Sequence, residues 1–191
     1  MLKYHSFEEI FGQKEKVLKK GLDKYINIMT TFKKINIADN LEFQKTFRNF
    51  YKISHRINEF YIEYFKYFEG IKNDTNIDFK TILTNINSFS GYLEMSFSSK
   101  ILHTINPDYP IWDSVVTKGH FEIEAPKESS KYDRIIEAVK KYNMYKDKFY
   151  EFMNSTEGKK IITAFDNYFP DSKISDAKKI DFILWQDRKE K

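Results

Sequence analysis

From Leu41 to Phe68 the chain places an apolar side chain at spacings of three and four residues, and most of these side chains are aromatic. Leu41, Phe43, Phe47, Phe50, Tyr51, Ile53, Ile57, Phe60, Tyr61, Tyr64, Phe65 and Phe68 make one broad stripe. A period near 3.6 sustained over this length belongs to a helix with a buried face. The stripe therefore predicts helix over 40–70, continuous or broken once, with packing rather than base stacking as its role. Gly70 is placed to end it.

The same periodicity recurs elsewhere. Phe7, Ile10 and Phe11 open a second stripe, continued by Val17, Leu18, Leu22, Tyr25, Ile26 and Met29, so 7–34 is expected to be helical, with Gly12 or Gly21 as an interruption. Ser6 followed by Glu9 has the pattern of a capping box. Asp78 is placed to cap a helix from Phe79 to Asn87. Further helices are expected over 130–152, from Thr156 to Phe169 with Pro170 as the stop, and from Ser175 to Trp185 with Ser175 as N-cap. Residues 118–130 read as loop, and the alternation in Phe121-Glu122-Ile123-Glu124-Ala125 allows a short extended piece. The expected fold class is all-α. It is read as one compact multi-helix domain over 1–191, with N-terminal helices in 7–70, a hairpin-like segment at 88–118 and C-terminal helices in 130–185. No repeat, low-complexity tract or linker divides the chain.

Composition narrows the functional classes. The chain has no cysteine, which excludes disulfides and thiolate metal sites. His5, His55, His103 and His120 show no metal-ligand spacing, so no metal and no cofactor is expected. There is no P-loop, dinucleotide fingerprint or nucleophile elbow, and only 6 glycines are available for phosphate-cradling loops. No run approaches the roughly 20 apolar residues of a membrane span, and the first residues lack the apolar run of a signal peptide. The expectation is a cytoplasmic protein with no membrane partner; oligomeric state is not legible. The formal net charge of +4 permits nucleic-acid binding. Only Arg48, Arg56, Arg134 and Arg188 can make the bidentate contacts of specific DNA readout, which argues against a large specific interface. Lys14, Lys16, Lys19, Lys20 and Lys24 crowd one side of the first helix, either as a solvated face or as a phosphate-facing stripe.

Chemistry concentrates in 88–118. Small residues at Ser96, Ser98 and Ser99 lead to Lys100, near which a short helix is expected to start. Pro107 ends that helix, and Pro110 begins an extended approach to Asp113, a good N-cap for another. Met95-Ser96-Phe97-Ser98-Ser99-Lys100, followed by Pro110-Ile111-Trp112-Asp113-Ser114-Val115-Val116, resembles the helix-hairpin-helix DNA glycosylases, in particular the 8-oxoguanine DNA glycosylase-like proteins. That family carries a tight hairpin of small residues, a lysine at the start of the next helix and a later Pro-apolar-Asp element. Serines stand at 96 and 98 where the family has glycines, and two residues rather than one separate Pro110 from Asp113.

The resemblance implies a DNA glycosylase and abasic-site lyase of the DNA-repair type, acting on a flipped base, with oxidised bases among the candidates. Lys100 would match the family's nucleophile, which attacks the sugar C1′, expels the base and passes through a Schiff base; Asp113 would match the carboxylate that assists it. Ser96, Ser98 and Ser99 would meet the DNA backbone. Phe97, Tyr92 and Trp112 are candidates to stack on the base. His103 is either a supporting donor or a satisfied buried histidine. A helix N-terminus beside Lys100 would disfavour its ammonium form. The residues by themselves also fit blander roles: Lys100 as a surface lysine, Asp113 as a cap, Trp112 as a core anchor. The functional alternatives are a non-enzymatic DNA-binding or defence-associated module on the same scaffold, and a helical protein with no nucleic-acid role. The C-terminal helix is read as closing the domain, without chemistry.

Overall fold

The computed structural model describes residues 2–6, 9–13, 15–53, 55–126 and 131–188, with backbone alone at 13, 131 and 132. Phe7, Lys14 and the end of the 118–130 loop lie outside the described residues.

The capping box closes reciprocally. The Ser6 N–H donates to Glu9 Oε2 at 2.7 Å and the Glu9 N–H to Ser6 Oγ at 3.2 Å. A π-helical turn, Glu9–Gln13, follows and contains Gly12; α1 (Glu15–Thr31) comes next. The helix expected over 40–70 is two, α2 (Leu41–Tyr51) and α3 (Asn58–Ile71). They part where Lys52 turns left-handed (φ 54°) and its N–H closes on the Arg48 carbonyl. α4 (Phe79–Ser90) starts at its Asp78 cap and ends at Gly91, whose φ of 72° suits glycine. α5 (Met95–Ile105), α6 (Ser114–Thr117), α7 (Lys131–Asn154) and α8 (Thr156–Tyr168) follow. The last helix, α9 (Asp176–Gln186), is capped by Ser175, whose Oγ accepts from the Lys178 N–H. Among the described residues there is no strand, and 121–125 is irregular. The fold class is all-α. No helix among the described residues is long and apolar enough to cross a membrane.

The aromatic stripe is core. Phe47 sits 5.8 Å, ring to ring, from both Phe65 and Phe68, and Phe43, Tyr64 and Phe60 are buried with them. Leu41 and Ile57, also part of the stripe, are solvent-exposed. α1 packs on α2; α3, α4 and α5 pack in succession; α7 lies against α4, α8 and α9; and α9 also meets α6 and α8. In α5 only Ser96 escapes burial, and in α9 only Asp176 and Trp185 do. Both helices are therefore enclosed, yet they carry Lys100, His103, Lys178 and Asp181. Such groups need partners inside the protein.

Between α5 and α6 the chain runs without regular structure from Asn106 to Asp113, so its carbonyls have no ladder partners. Side chains supply donors instead. From α7, Tyr142 donates to the Pro110 carbonyl at 2.9 Å, Tyr145 to Ile111 at 3.1 Å and Tyr150 to Asp108 at 3.1 Å. Ser175 Oγ donates to the Pro107 carbonyl at 2.7 Å, and the Trp112 N–H donates to Ser99 Oγ at 2.9 Å. The segment ends at Asp113, which caps α6 by accepting from the Val115 N–H at 2.9 Å.

Tyr145→Phe leaves the buried Ile111 carbonyl without its donor. A loss of about 1–3 kcal/mol in urea unfolding is expected. Tyr168→Phe, at a side chain 49% exposed, should change stability by less than about 0.5 kcal/mol.

Candidate functional site

A cleft of about 320 Å³ opens beside the two enclosed helices. Lys100 from α5, Asp113 from the start of α6, and Lys178 and Asp181 from α9 all line it. Its walls include the rings of Phe50, Tyr51, Phe182 and Trp185. The cations Lys20 and Lys24 of α1, Lys52 after α2 and Arg188 after α9 also border it. The volume lies at the lower end of the range for small-molecule sites.

Lys100 is 2% exposed. Its Nζ donates to the Ser96 hydroxyl one turn back and lies 5.9 Å from the centre of the Tyr51 ring. Burial pushes its amine from 10.5 down to about 8; the carboxylates of Asp113, Asp181 and Glu94 pull the other way, and the Lys178 cation adds to the fall. The cause is desolvation rather than a helix N-terminus. α5 begins at Met95, so Lys100 sits in its second turn.

Lys178 has different surroundings. Its Nζ meets Asp181 Oδ2 at 2.6 Å, a pair one turn apart on α9, and both residues are buried. The same nitrogen lies 4.6 to 5.6 Å from the ring centres of Tyr25, Phe50, Tyr51 and Phe182. Carboxylate and ring faces both attract a cation. The cleft thus holds two buried lysines, one against a neutral hydroxyl and one in a carboxylate and aromatic cage.

His103 is fully buried. A carbonyl can only accept, so Nδ1 carries the hydrogen that bonds the Tyr109 carbonyl at 2.7 Å, and Nε2 accepts from the Tyr25 hydroxyl at 3.0 Å. Burial, with a smaller push from Lys178, drives its pKa down to about 3 against the Tyr109 bond. It is a neutral bridge between α1, α5 and the 106–113 segment, and it does not line the cleft.

The other expected residues divide. Met95 to Ser99 are helix, not hairpin; the turn lies earlier, at Gly91–Glu94, where glycine supplies the left-handed residue. Ser98 and Ser99 are fully buried, and their hydroxyls donate to the carbonyls of Glu94 and Ser96 at 2.8 and 3.1 Å, which leaves no surface for a phosphate. Ser96, partly exposed, serves Lys100. Phe97 packs in the core against Phe60 at 4.9 Å, and Trp112 edge-on to Tyr145 at 5.7 Å; neither faces the cleft. Tyr92 is exposed on the turn, under the Arg56 guanidinium at 4.7 Å. Arg56 in turn pairs with the buried Glu94 at 2.5 Å.

Lys178 and Asp181 escaped sequence reasoning because α9 read as a plain closing helix. The signal was there: Lys178, Asp181, Phe182 and Trp185 stand at i, i+3, i+4 and i+7, a face mixing charge with large rings. Val17, Lys20, Gly21 and Lys24 repeat that spacing on α1 and all line the cleft, whereas the exposed Lys16 and Lys19 do not. Compared with family models, with curated proteins and with solved structures, the chain matches none.

The buried amine has a stability consequence. Below pH 8 the folded and unfolded chains both protonate Lys100, and the fold bears the full cost of the buried ammonium. Between about 8 and 10.5 the unfolded chain holds a proton that the folded one has shed, so stability rises with pH. Lys100→Met should stabilise the protein by about 1–3 kcal/mol at neutral pH. That gain should shrink across the same window, as read from urea unfolding at a series of pH values.

Proposed function

We propose that this protein is a DNA glycosylase and abasic-site lyase that works through the Lys100 amine. One observation carries the reading: Lys100, an enclosed lysine whose free base becomes the major form above about pH 8, shares a cleft of about 320 Å³ with the Asp113 carboxylate. A lysine is a nucleophile only without its proton, and desolvation is an established way to remove it. Asp113 spends one oxygen on the α6 cap, which orients its carboxylate at the cleft. That carboxylate would stabilise positive charge developing on the sugar as the base departs. Flat substrates are served by the aromatic walls of α2 and α9. Lys20, Lys24, Lys52 and Arg188 supply the positive border that a phosphate backbone requires.

The border by itself favours a second reading, a nucleic-acid-binding module without chemistry. The two differ in what Lys100 does. On oligonucleotides carrying 8-oxoguanine, uracil or an abasic site, borohydride should trap a covalent adduct with the wild type. Lys100→Gln should lower trapping by about 100-fold or more while leaving DNA affinity and its salt dependence nearly unchanged. Adduct of equal yield in Lys100→Gln would discard the nucleophile. Salt-sensitive binding without any adduct would leave the module. The trapping rate should climb with pH and level off above about 8, as the free amine becomes the major form.

A further inference from the structure

The two lysines of the cleft stand in contrasting settings, and the reading above gives work to only one. Lys100 and Lys178 flank the same Tyr51 ring, their nitrogens 5.9 and 5.6 Å from its centre. Lys100 bonds a neutral hydroxyl; Lys178 is held as a cation by Asp181 at 2.6 Å and by four ring faces. Asp181 accepts from Lys178, which has three donors, and the residue lines the cleft. A buried ion pair of this kind is weak evidence of stabilisation, since apolar side chains of similar volume often do as well. A lysine bonded to a neutral hydroxyl and one bonded to a carboxylate in the same cleft are differently placed to take and to give a proton.

Resting on the glycosylase reading, we infer that Lys178 is the general acid for the departing base, with Asp181 and the aromatic cage holding its ammonium in place. The step balances within the cleft. The Lys100 nitrogen forms a bond to the sugar C1′ as the bond from C1′ to the base breaks, and that electron pair leaves with the base. The Lys178 ammonium gives the base a proton and becomes an amine. The Lys100 nitrogen, now bonded to C1′ and positively charged, must lose a proton before it can form the Schiff base; that proton restores the Lys178 ammonium. Asp181 stays ionised throughout and keeps Lys178 turned toward the exchange. An abasic site has no base to expel: its aldehyde oxygen leaves as water, formed with the two hydrogens that the Lys100 amine itself gives up, so capture does not draw on the Lys178 proton.

That asymmetry is the test. With the full chain, base excision from the 8-oxoguanine and uracil oligonucleotides is measured beside borohydride trapping on the abasic oligonucleotide. Lys178→Met keeps the length of the side chain and removes the proton. Because the Lys178 cation also favours the free amine of Lys100, both readouts are taken on the high-pH plateau of each variant; there Lys178→Met should cut excision by about 100-fold or more while trapping falls by less than about threefold. Lys178→Arg, which keeps the cation, should excise measurably faster than Lys178→Met. If excision and trapping fall together in Lys178→Met, the residue is structural and the assignment is overturned. It is overturned also if excision is unchanged, if Lys178→Arg is no better than Lys178→Met, or if the wild type traps on abasic DNA but expels neither base. A wild type that traps nothing overturns the Lys100 reading instead, and the two failures are thereby distinct.

Discussion

The irregular run from Asn106 to Asp113 is the constraint around which the rest is arranged. It runs from the part-exposed Asn106 to Tyr109 into the buried Pro110 to Trp112 without helix or strand, so each buried carbonyl must find a donor or bear the cost of desolvation. The hydroxyls of Tyr142, Tyr145 and Tyr150 on α7, Ser175 ahead of α9 and the His103 ring on α5 meet the run's carbonyls one by one. One irregular strip thus ties α5, α7 and α9 together. It also delivers Asp113 to the cleft that Lys100 and Lys178 reach from the two enclosed helices. The abundance of tyrosine has a specific use here: a side chain with the bulk of a core residue that still carries a donor at its tip.

Enclosing α5 and α9 creates the site and charges the fold for it. A helix buried on all sides is ordinarily apolar all round. Here α5 carries Lys100 and His103, and α9 carries Lys178 and Asp181. Each solves its burial differently: a neutral ring bridging two partners, an ion pair inside aromatic faces, an amine whose proton is easily lost. The last solution stabilises the protein least, and it is the one on which the proposed chemistry rests; a trade between stability and activity is common.

The helical architecture was legible from residue spacing. Caps at Ser6, Asp78 and Ser175 lie where the short polar residues stand, because a cap is a local bond between a side chain and an N–H two or three residues on. The division of 40–70 into α2 and α3 was harder to place, since it turns on Lys52 adopting a left-handed conformation that no glycine announces. The motifs at 95–100 and 110–116 picked out a lysine and an aspartate that do share a cleft. The first misplaced the turn and the local environment: the serines are helical and inward-facing, and Gly91 makes the bend. Phe97 read as a stacking group, and Trp112 as a stacking group or a core anchor; packing assigned both to the core.

By itself the sequence determined the all-α class and most helix ends to within a few residues, though not the start of α5 or the break between α2 and α3, because periodicity and capping act over one or two turns. It also marked Lys100 and Asp113, whose separation along the chain is short. Only the tertiary structure decided that Lys178 and Asp181 join them, that the cleft walls come from α2 and α9, and that Lys20 and Lys24 rather than Lys16 and Lys19 border it. Those choices follow from which faces the long-range packing of α1, α2 and α9 encloses. Burial, which shifts the Lys100 amine, depends on the sum of such contacts and has no local pattern to read.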